Sequence, residues 1–334
     1  MATLTTEQIQ HFNDEGYVVV ENVIDASILD AAIEEYEGVL ENLIEELFAK
    51  GDLPDRFEGL GFGDRFKALC RATGEVHKQR FDFSLPKKNV QPDTTFWTGQ
   101  AVLNLFVDEN LLDTVESLIG PEIYSNPVQH VRIKPPESIL PKNEFGAPIL
   151  GQTPWHQDNG VVVASADDTD MLTVWFSLQD TAVEQGPLKI IPRSHKDKLL
   201  THCPRYHGNS PSTAGGNQIP EKLFAVETTL ALPVKRGDVI ILHRHTIHGS
   251  LPNVSDQIRW SFDLRYNPIG QATGREAFPG FVARSREHPE RELRDAAVWT
   301  RNWLETRERM SKVNQGEVNE VAFGRWKEGH LDCA

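Results

Sequence analysis

The sequence is short of the features that mark several large protein classes. Its 334 residues include three cysteines, Cys70, Cys203 and Cys333, and none of them forms a CxxC pair. Disulfide frameworks and zinc sites use paired spacings, so this odd, scattered set predicts free, buried and inert thiols in a reducing compartment. No apolar run approaches the ~20 residues of a membrane helix, and we therefore expect a chain that does not span a membrane.

Nucleotide-binding loops and a basic surplus are also missing. The chain has neither GxGxxG nor GxxxxGK[ST], and strands and helices do not alternate regularly, which counts against a doubly wound nucleotide-binding fold. There are 34 Lys and Arg against 49 Asp and Glu, a formal charge of −15. Such an acidic balance argues against nucleic acid or an anionic membrane as partner, although a pocket can still be basic.

Neither end of the sequence resembles a targeting signal. MATLTTEQIQ lacks the basic and apolar regions of a signal peptide, and HLDCA is not a peroxisomal address. We therefore expect a cytoplasmic protein that acts on a small molecule. The oligomeric state stays open.

Hydrophobic spacing divides the chain into three regions, which we expect to form one domain over residues 1–334. A helical scaffold covers about 1–123, a strand-rich core about 124–268, and a charged helical tail about 284–312. The pattern predicts an α+β, mainly β fold, namely a double-stranded β-helix (jelly-roll) barrel flanked by helices. Two long loops, 136–153 and 201–221, are candidate lids.

The core strands alternate an apolar face with a polar face. In the stretch 128–134, Val131 and Ile133 lie on one face. The polar faces of 128–134, 171–179 and 259–266 carry His130, Arg132, Lys134, Trp175, Arg259 and Arg265. We expect the apolar faces to pack on helices and the polar faces to line a wet cavity.

The stretch TPWHQDNG places a histidine and a carboxylate two residues apart. In a strand, His156 and Asp158 share one face, close enough to bind the same metal ion. His248, at the end of a later apolar strand, offers a third ligand. Two histidines and one carboxylate form the facial triad of non-haem Fe(II) oxygenases, which leaves positions open for a co-substrate and O₂.

Arg259 follows His248 by eleven positions and begins the next strand. The intervening turn, 252–256, predicts a hairpin that sets the two strands side by side with Arg259 deeper in the cavity. A guanidinium there can hold a carboxylate through two hydrogen bonds, and Ser250 can add a third. This is what binding the far carboxylate of 2-oxoglutarate requires.

At this point the sequence resembles the phytanoyl-CoA dioxygenase family of Fe(II)- and 2-oxoglutarate-dependent oxygenases. The similar stretches are FNDEGYVVVENVI, VRIKPP, PWHQD, VWFSLQDT, QGPLKIIPRSH and LHRHTIHGSLPNVSDQIR, which run from near residue 6 to about 268. The resemblance implies iron on His156, Asp158 and His248, and O₂ as the second co-substrate. It also implies 2-oxoglutarate held by residues that comprise Arg259, Ser250, Trp175, Gln157 and His130.

Two positions bear on this resemblance. Relatives that halogenate replace the metal carboxylate with a small residue, whereas Asp158 is present here, so oxygenation is expected. The family commonly reads Pro-Gly-Ser-His where this chain has Arg193 in the second position, and that departure concerns the shape of a turn remote from the metal ligands.

Several alternatives stay open. His243, His245 and His248 could form a three-histidine, cupin-type site, although strand parity points the first two away from the third. Arg132, Lys134 and Arg265 either meet an anionic substrate or pair with internal carboxylates such as Asp263. A small metabolite is the expected substrate, and an acyl-CoA is the second option. The alternative to an enzyme is a non-catalytic barrel that binds metal and 2-oxoglutarate.

Overall fold

The computed structural model describes residues 3–142, 148, 151–204, 217–314, 324–327 and 329–333, and in them it forms a mixed helix and sheet architecture. The α-helices are α1 Thr6–Glu15, α2 Ala26–Lys50, α3 Phe62–Thr73, α4 Lys78–Phe81, α5 Gln100–Phe106, α6 Glu109–Ile119 and α7 Ala296–Asn314. The strands are β1 Tyr17–Val20, β2 Ile123–Ser125, β3 His130–Lys134, β4 Leu172–Ser177, β5 Leu188–Ile190, β6 Leu230–Leu232, β7 Val239–His243, β8 His248–Ser250, β9 Arg259–Pro268 and β10 Phe281–Arg284.

The strands form two antiparallel sheets. The larger sheet has seven strands in the order β1-β7-β4-β9-β2-β10, and β3 pairs with the part of β9 that β2 leaves free. The smaller sheet has the order β6-β5-β8. Ten-residue β9 is the centre of the large sheet, because it pairs with β4 along one edge and with β2 and β3 along the other.

The large sheet separates two hydrophobic clusters, as strand parity predicts. Its apolar face, which includes Val174, Phe262 and Leu264, packs on the helices in the main core. Its other face joins Trp175 and Ile240 to the small sheet in a second cluster. The expected alternation in β3, β4 and β9 is therefore confirmed, and the polar face lies between the two sheets.

The first helix shows how local sequence sets an element's limits. Thr5 accepts a hydrogen bond from the backbone N–H of Gln8, whose side chain accepts one from the backbone N–H of Thr5, so the helix begins with a capping box. Gly16 ends it in the left-handed conformation at φ +82°. The chain then enters β1 directly, and the scaffold thus supplies an edge strand to the large sheet.

The expected hairpin between His248 and Arg259 is wrong. β8 pairs with β5 in the small sheet, whereas β9 lies in the large sheet, so residues 251–258 cross from one sheet to the other. Both edges of β9 are already occupied by β4 and β3, which leaves no edge for β8. His248 and Arg259 consequently face each other across the space between the sheets.

The C-terminal prediction also needs correction. Residues 281–284 form β10, and the helix begins at Ala296 rather than near 284, with only the 3-10 turn Pro289–Arg291 between them. Of the two expected lid loops, residues 143–147, 149–150 and 205–216 lie outside the described part of the chain.

Candidate metal centre

Two histidines and one carboxylate meet between the sheets. His156 and His248 form an isolated antiparallel bridge, with both backbone N···O distances 2.9 Å, and Asp158 begins the 3-10 turn Asp158–Val161 rather than continuing a strand. Nε2 of His156 lies 3.7 Å from Oδ1 of Asp158, and Nε2 of His248 lies 3.8 Å from Oδ2. One ligand atom from each residue lies within 4.8 Å of the others, so the three can hold one metal ion.

The hydrogen bonds of the histidines leave the correct nitrogen free. Nδ1 of His156 lies 2.8 Å from the carbonyl oxygen of Pro154, and Nδ1 of His248 lies 2.9 Å from that of Thr246. A carbonyl only accepts, so each Nδ1 donates its proton and each Nε2 keeps a lone pair for a metal. Burial, followed by the nearby His248, lowers the pKa of His156 to about 3. The imidazole is therefore neutral, as metal binding requires.

The carboxylate of Asp158 is completely buried and fixed on both sides. Arg265 Nη2 donates to Oδ1, and the Thr173 hydroxyl donates to Oδ2. Burial opposes ionisation, but Arg265 and the two histidines hold the pKa of Asp158 below its usual range. The triad thus carries one negative charge in an orientation that side chains from β4 and β9 determine.

A narrow cleft lies beside the triad between the two sheets. Its lining residues are Arg132, Thr153, His156, Thr173, Trp175, Leu188, His248, Gly249, Ser250, Arg259 and Asp263. The cleft therefore brings together five of the predicted metal and co-substrate residues, namely His156, His248, Ser250, Arg259 and Trp175.

Two buried cations near this cleft have no carboxylate partner among the described residues. Arg259 is 1% exposed, donates only to the carbonyl oxygen of Gly186 at 2.8 Å, and has its guanidinium 5.7 Å from the ring centroid of Trp175. Lys134, its register partner on β3, donates to Ser250 Oγ at 2.6 Å. Burial and the neighbouring cations lower the pKa of Arg259 to about 9 and that of Lys134 well below its ordinary value.

The other two cations predicted to meet substrate have internal partners. Arg132 Nη2 lies 3.1 Å from Oδ2 of Asp263, and Arg265 contacts both Asp158 and, at 3.5 Å, Asp263. The internal pairing considered from the sequence therefore exists for Arg132 and Arg265. Lys134 differs, because hydroxyl groups are its nearest partners.

Two residues predicted near the co-substrate do not line the cleft. The side-chain amide of Gln157 donates to the carbonyl oxygen of His245 and accepts from the N–H of Leu200, both at 2.8 Å. Nδ1 of His130 lies 2.8 Å from Oδ2 of Asp82. The resemblance predicts both residues near the co-substrate, but their polar atoms have partners elsewhere.

The alternative three-histidine site does not assemble. Within the described ranges, the one group of metal-ligating side chains with suitable geometry is His156, Asp158 and His248. His243 instead packs its ring 5.2 Å from that of His195. His243 ends β7 in the large sheet and His248 begins β8 in the small sheet, so the single strand over 237–248 on which the parity argument depends is wrong, and the two histidines are separated by a change of sheet.

The prediction of three free thiols is wrong for two of them. Cys203 and Cys333 form a disulfide across 130 residues, and Cys70 is the free, buried cysteine, with its thiol pKa raised by burial to about 12. No sequence spacing could indicate this bond, because it joins a loop beside the centre to the C-terminal segment. We call residues 324–327 and 329–333 the C-terminal strap.

The strap contacts the backbone that flanks Asp158. Trp326 donates its indole N–H to the carbonyl oxygen of Gly160 at 2.6 Å and stacks on His202, with ring centroids 5.0 Å apart. Nε2 of His202 in turn accepts the backbone N–H of Gln157 at 2.9 Å. The strap therefore contacts the residues on both sides of Asp158, directly at Gly160 and through His202 at Gln157, and it lies beyond the helical tail predicted over about 284–312.

The arrangement defines a class of protein. A buried group of two histidines and one carboxylate, with a cleft along one side, is the centre of a mononuclear non-haem metal oxygenase. No helix in the described ranges is both long and apolar enough to cross a membrane.

Comparison with known proteins gives the family. The model of the phytanoyl-CoA dioxygenase (PhyH) family matches residues 12–261. The chain belongs to this family, and it is accordingly an oxidoreductase of the iron- and 2-oxoglutarate-dependent oxygenase group.

Individual relatives agree with this assignment. The chain is 26% identical over 272 residues to the phytanoyl-CoA dioxygenase domain-containing protein 1 homolog of Caenorhabditis briggsae, covering 76% of this chain and 88% of the relative. It is 28% identical over 251 residues to the probable alpha-ketoglutarate-dependent hypophosphite dioxygenase of Stutzerimonas stutzeri, covering 75% and 73%. Its fold is similar to that of the non-heme monooxygenase ThoJ in its apo form, with a TM-score of 0.58 and 15% identity over 93% of this chain and 100% of that one.

Proposed function

We propose that this protein hydroxylates a C–H bond of a small anionic metabolite, with Fe(II) on His156, Asp158 and His248 and with 2-oxoglutarate held by Arg259. One oxygen atom of O₂ enters the C–H bond and the other enters succinate, as 2-oxoglutarate loses CO₂. Bound iron supplies the oxidising chemistry. The protein's own groups hold the metal, orient the co-substrate and exclude water.

The observation that carries this proposal is the pair of unmatched cations beside the triad. A buried guanidinium and a buried ammonium without a carboxylate are costly unless an anion completes them. Arg259 offers a planar fork and Lys134 a point charge, and the Ser250 hydroxyl accepts a hydrogen bond from Lys134. A dicarboxylate would satisfy both groups, with one end on the metal and the other on these cations.

The residues around the triad have separate tasks in this mechanism. Nδ1 of each histidine holds its proton on a carbonyl, so Nε2 stays a ligand throughout. Thr173 and Arg265 keep the Asp158 carboxylate oriented. Trp175 and Leu188 form apolar walls of the cleft and limit the access of water.

Anaerobic titration of Fe(II)-loaded protein with 2-oxoglutarate tests this function. Chelation gives a visible charge-transfer band, and Arg259→Ala should raise the 2-oxoglutarate Kd by roughly 10- to 100-fold, because charged hydrogen bonds contribute about 1.5–3 kcal/mol. Arg291→Ala, an exposed arginine on the surface, is the matched control. Iron binding without a band would overturn the role given to 2-oxoglutarate.

Three further measurements separate the alternatives. Asp158→Ala should weaken metal binding and abolish 2-oxoglutarate-dependent hydroxylation, whereas a three-histidine site would be unaffected by it. Succinate formation above background on adding an acyl-CoA would favour that substrate class over a free metabolite. Binding of 2-oxoglutarate with no substrate-dependent turnover across a broad screen would favour a non-catalytic barrel.

We also propose the finer architecture that accompanies this function. The two facing antiparallel sheets are consistent with a double-stranded β-helix, and residues 1–334 with a single oxygenase domain. Trp175 and Ser250 line the cleft and support the co-substrate site, whereas Gln157 and His130 would act on it only through the backbone or neighbouring side chains.

A further inference from the structure

A second pair of cations meets at the far end of the turn that carries Asp158. Lys87 Nζ lies 3.4 Å from the carbonyl oxygen of Val161, and Arg275 Nη2 lies 3.3 Å from the same atom. Val161 is the last residue of the 3-10 turn Asp158–Val161. The two charged groups therefore share one weak neutral acceptor, three residues after the metal ligand Asp158.

Neither cation has an ion-pair partner in the part of the chain that the structure describes. Arg275 is 4% exposed, and Lys87 is half-buried. The charges that act on them are positive, since Arg275 and Arg265 face Lys87, and Arg265 faces Arg275. Burial and these neighbours lower the pKa of Lys87 to about 7 and that of Arg275 to about 9.

Two other arginines near the centre do not share that situation. Arg265 is neutralised by Asp158 and Asp263, and Arg132 by Asp263. A buried guanidinium without a carboxylate is rare, because the loss of hydration is uncompensated. The two unmatched charges at Val161 therefore require an anion that comes from outside this set of residues.

We propose that Lys87 and Arg275 bind a phosphoryl group, phosphate or phosphonate, of the substrate. Two cations without an acid balance a dianion, and the guanidinium fork matches two phosphoryl oxygens. The site differs from the Arg259 and Lys134 pair, of which Lys134 contacts Ser250, two residues after the metal ligand His248. A substrate held here would lie on the Asp158 side. This inference deepens the proposed function and rests on it.

Calorimetric titration of methylphosphonate into anaerobic protein, loaded with Fe(II) and saturating 2-oxoglutarate, tests the site. Wild type should bind it saturably, and Lys87→Met and Arg275→Leu should each weaken binding at least about tenfold. Lys88→Met, the exposed neighbour, should leave binding unchanged. Acetate, which offers the same methyl group on a monoanion, should bind more weakly than methylphosphonate.

The charge-transfer band distinguishes a failure of the 2-oxoglutarate site from a failure of the phosphoryl site. A band that persists in every variant shows that 2-oxoglutarate is bound, so any change in methylphosphonate affinity belongs to the second site. The proposal is overturned if wild type does not bind methylphosphonate, if both variants bind it as wild type does, or if acetate binds equally well. If Arg275→Leu does not fold, Lys87→Met and Arg275→Lys supply the same comparison.

Discussion

The disulfide between Cys203 and Cys333 should make both the stability and the metal centre of this protein sensitive to reduction. Removing the bond by Cys333→Ser frees the C-terminal strap from the loop that carries His202. Apart from the disulfide, the strap is held by the ion pair of Arg325 with Asp167, by Trp326, and by the 2.7 Å hydrogen bond from Thr201 to Asp332. These few contacts alone should hold it only weakly.

The magnitude follows from the length of chain that the bond closes. A loop of 130 residues gives an unfolded-state entropy loss equivalent to about 5 kcal/mol in the chain-entropy model. A freed strap can detach without unfolding the sheets, which limits the loss of global stability. We therefore expect Cys333→Ser to lower the free energy of unfolding by about 2–4 kcal/mol.

Equilibrium urea unfolding with and without a reducing agent measures this effect. Reduced wild type should match Cys333→Ser, and the variant should not respond to the reductant. Cys70 is buried and unpaired, so it provides no second reducible bond among the described cysteines. If the unfolding midpoints of oxidised wild type, reduced wild type and variant coincide, the strap does not stabilise the fold and the reasoning is refuted.

Three other outcomes are expected. Trp326→Ala should weaken Fe(II) binding by about tenfold, the lower end of the effect of residues that support metal ligands. Lys327→Ala, a change at the exposed neighbouring residue, should leave Fe(II) affinity unchanged. Equal Fe(II) affinities of the two variants would contradict this. The pKa of His156 is lowered from 6.5 to about 3, so between these pH values the unfolded state binds a proton that the folded state does not. The stability of metal-free protein should therefore fall as the pH falls from 6.5 to 3, by up to about 1.4 kcal/mol per pH unit from this group. Urea unfolding at several pH values measures this, and a flat profile would count against it. Arg193 has φ +67° and pairs with Glu15. Arg193→Gly should change the free energy of unfolding by less than about 1 kcal/mol, because relief of the left-handed strain offsets the lost ion pair and the added entropy of the unfolded chain. A larger loss of unfolding free energy in urea would show that the ion pair matters.

Sequence patterns predict the local geometry of this fold well and the long-range pairing poorly. Alternation in β9 correctly assigns Phe262 to the helix-facing core and Arg259 to the face between the sheets. The period of a strand fixes which side chains share a face, and that information is local. The sheet that β8 joins depends on which edges other strands already occupy, and no spacing around His248 carries it.

The sequence predicts the metal centre but not the disulfide, because only the metal ligands keep a recognisable spacing. His156 and Asp158 are near neighbours in sequence, and His248 and Arg259 keep a spacing that the resemblance recognises. The bond between Cys203 and Cys333 has no such spacing, and its residues meet only because the strap docks beside the Asp158 turn. The match to the family ends at residue 261, before the strap begins.

Charges show where sequence reasoning needs the structure most. Parity puts Arg132, Lys134 and Arg265 on the polar face, but it cannot say which of them find a carboxylate. The structure pairs Arg132 and Arg265 with acids and leaves Lys134 beside Arg259 without one. In a chain of formal charge −15, a buried cation without an acid is not explained by a shortage of carboxylates. It is better explained by a position kept for an anion that binds, and the cations beside Ser250 and beside Val161 both meet this criterion.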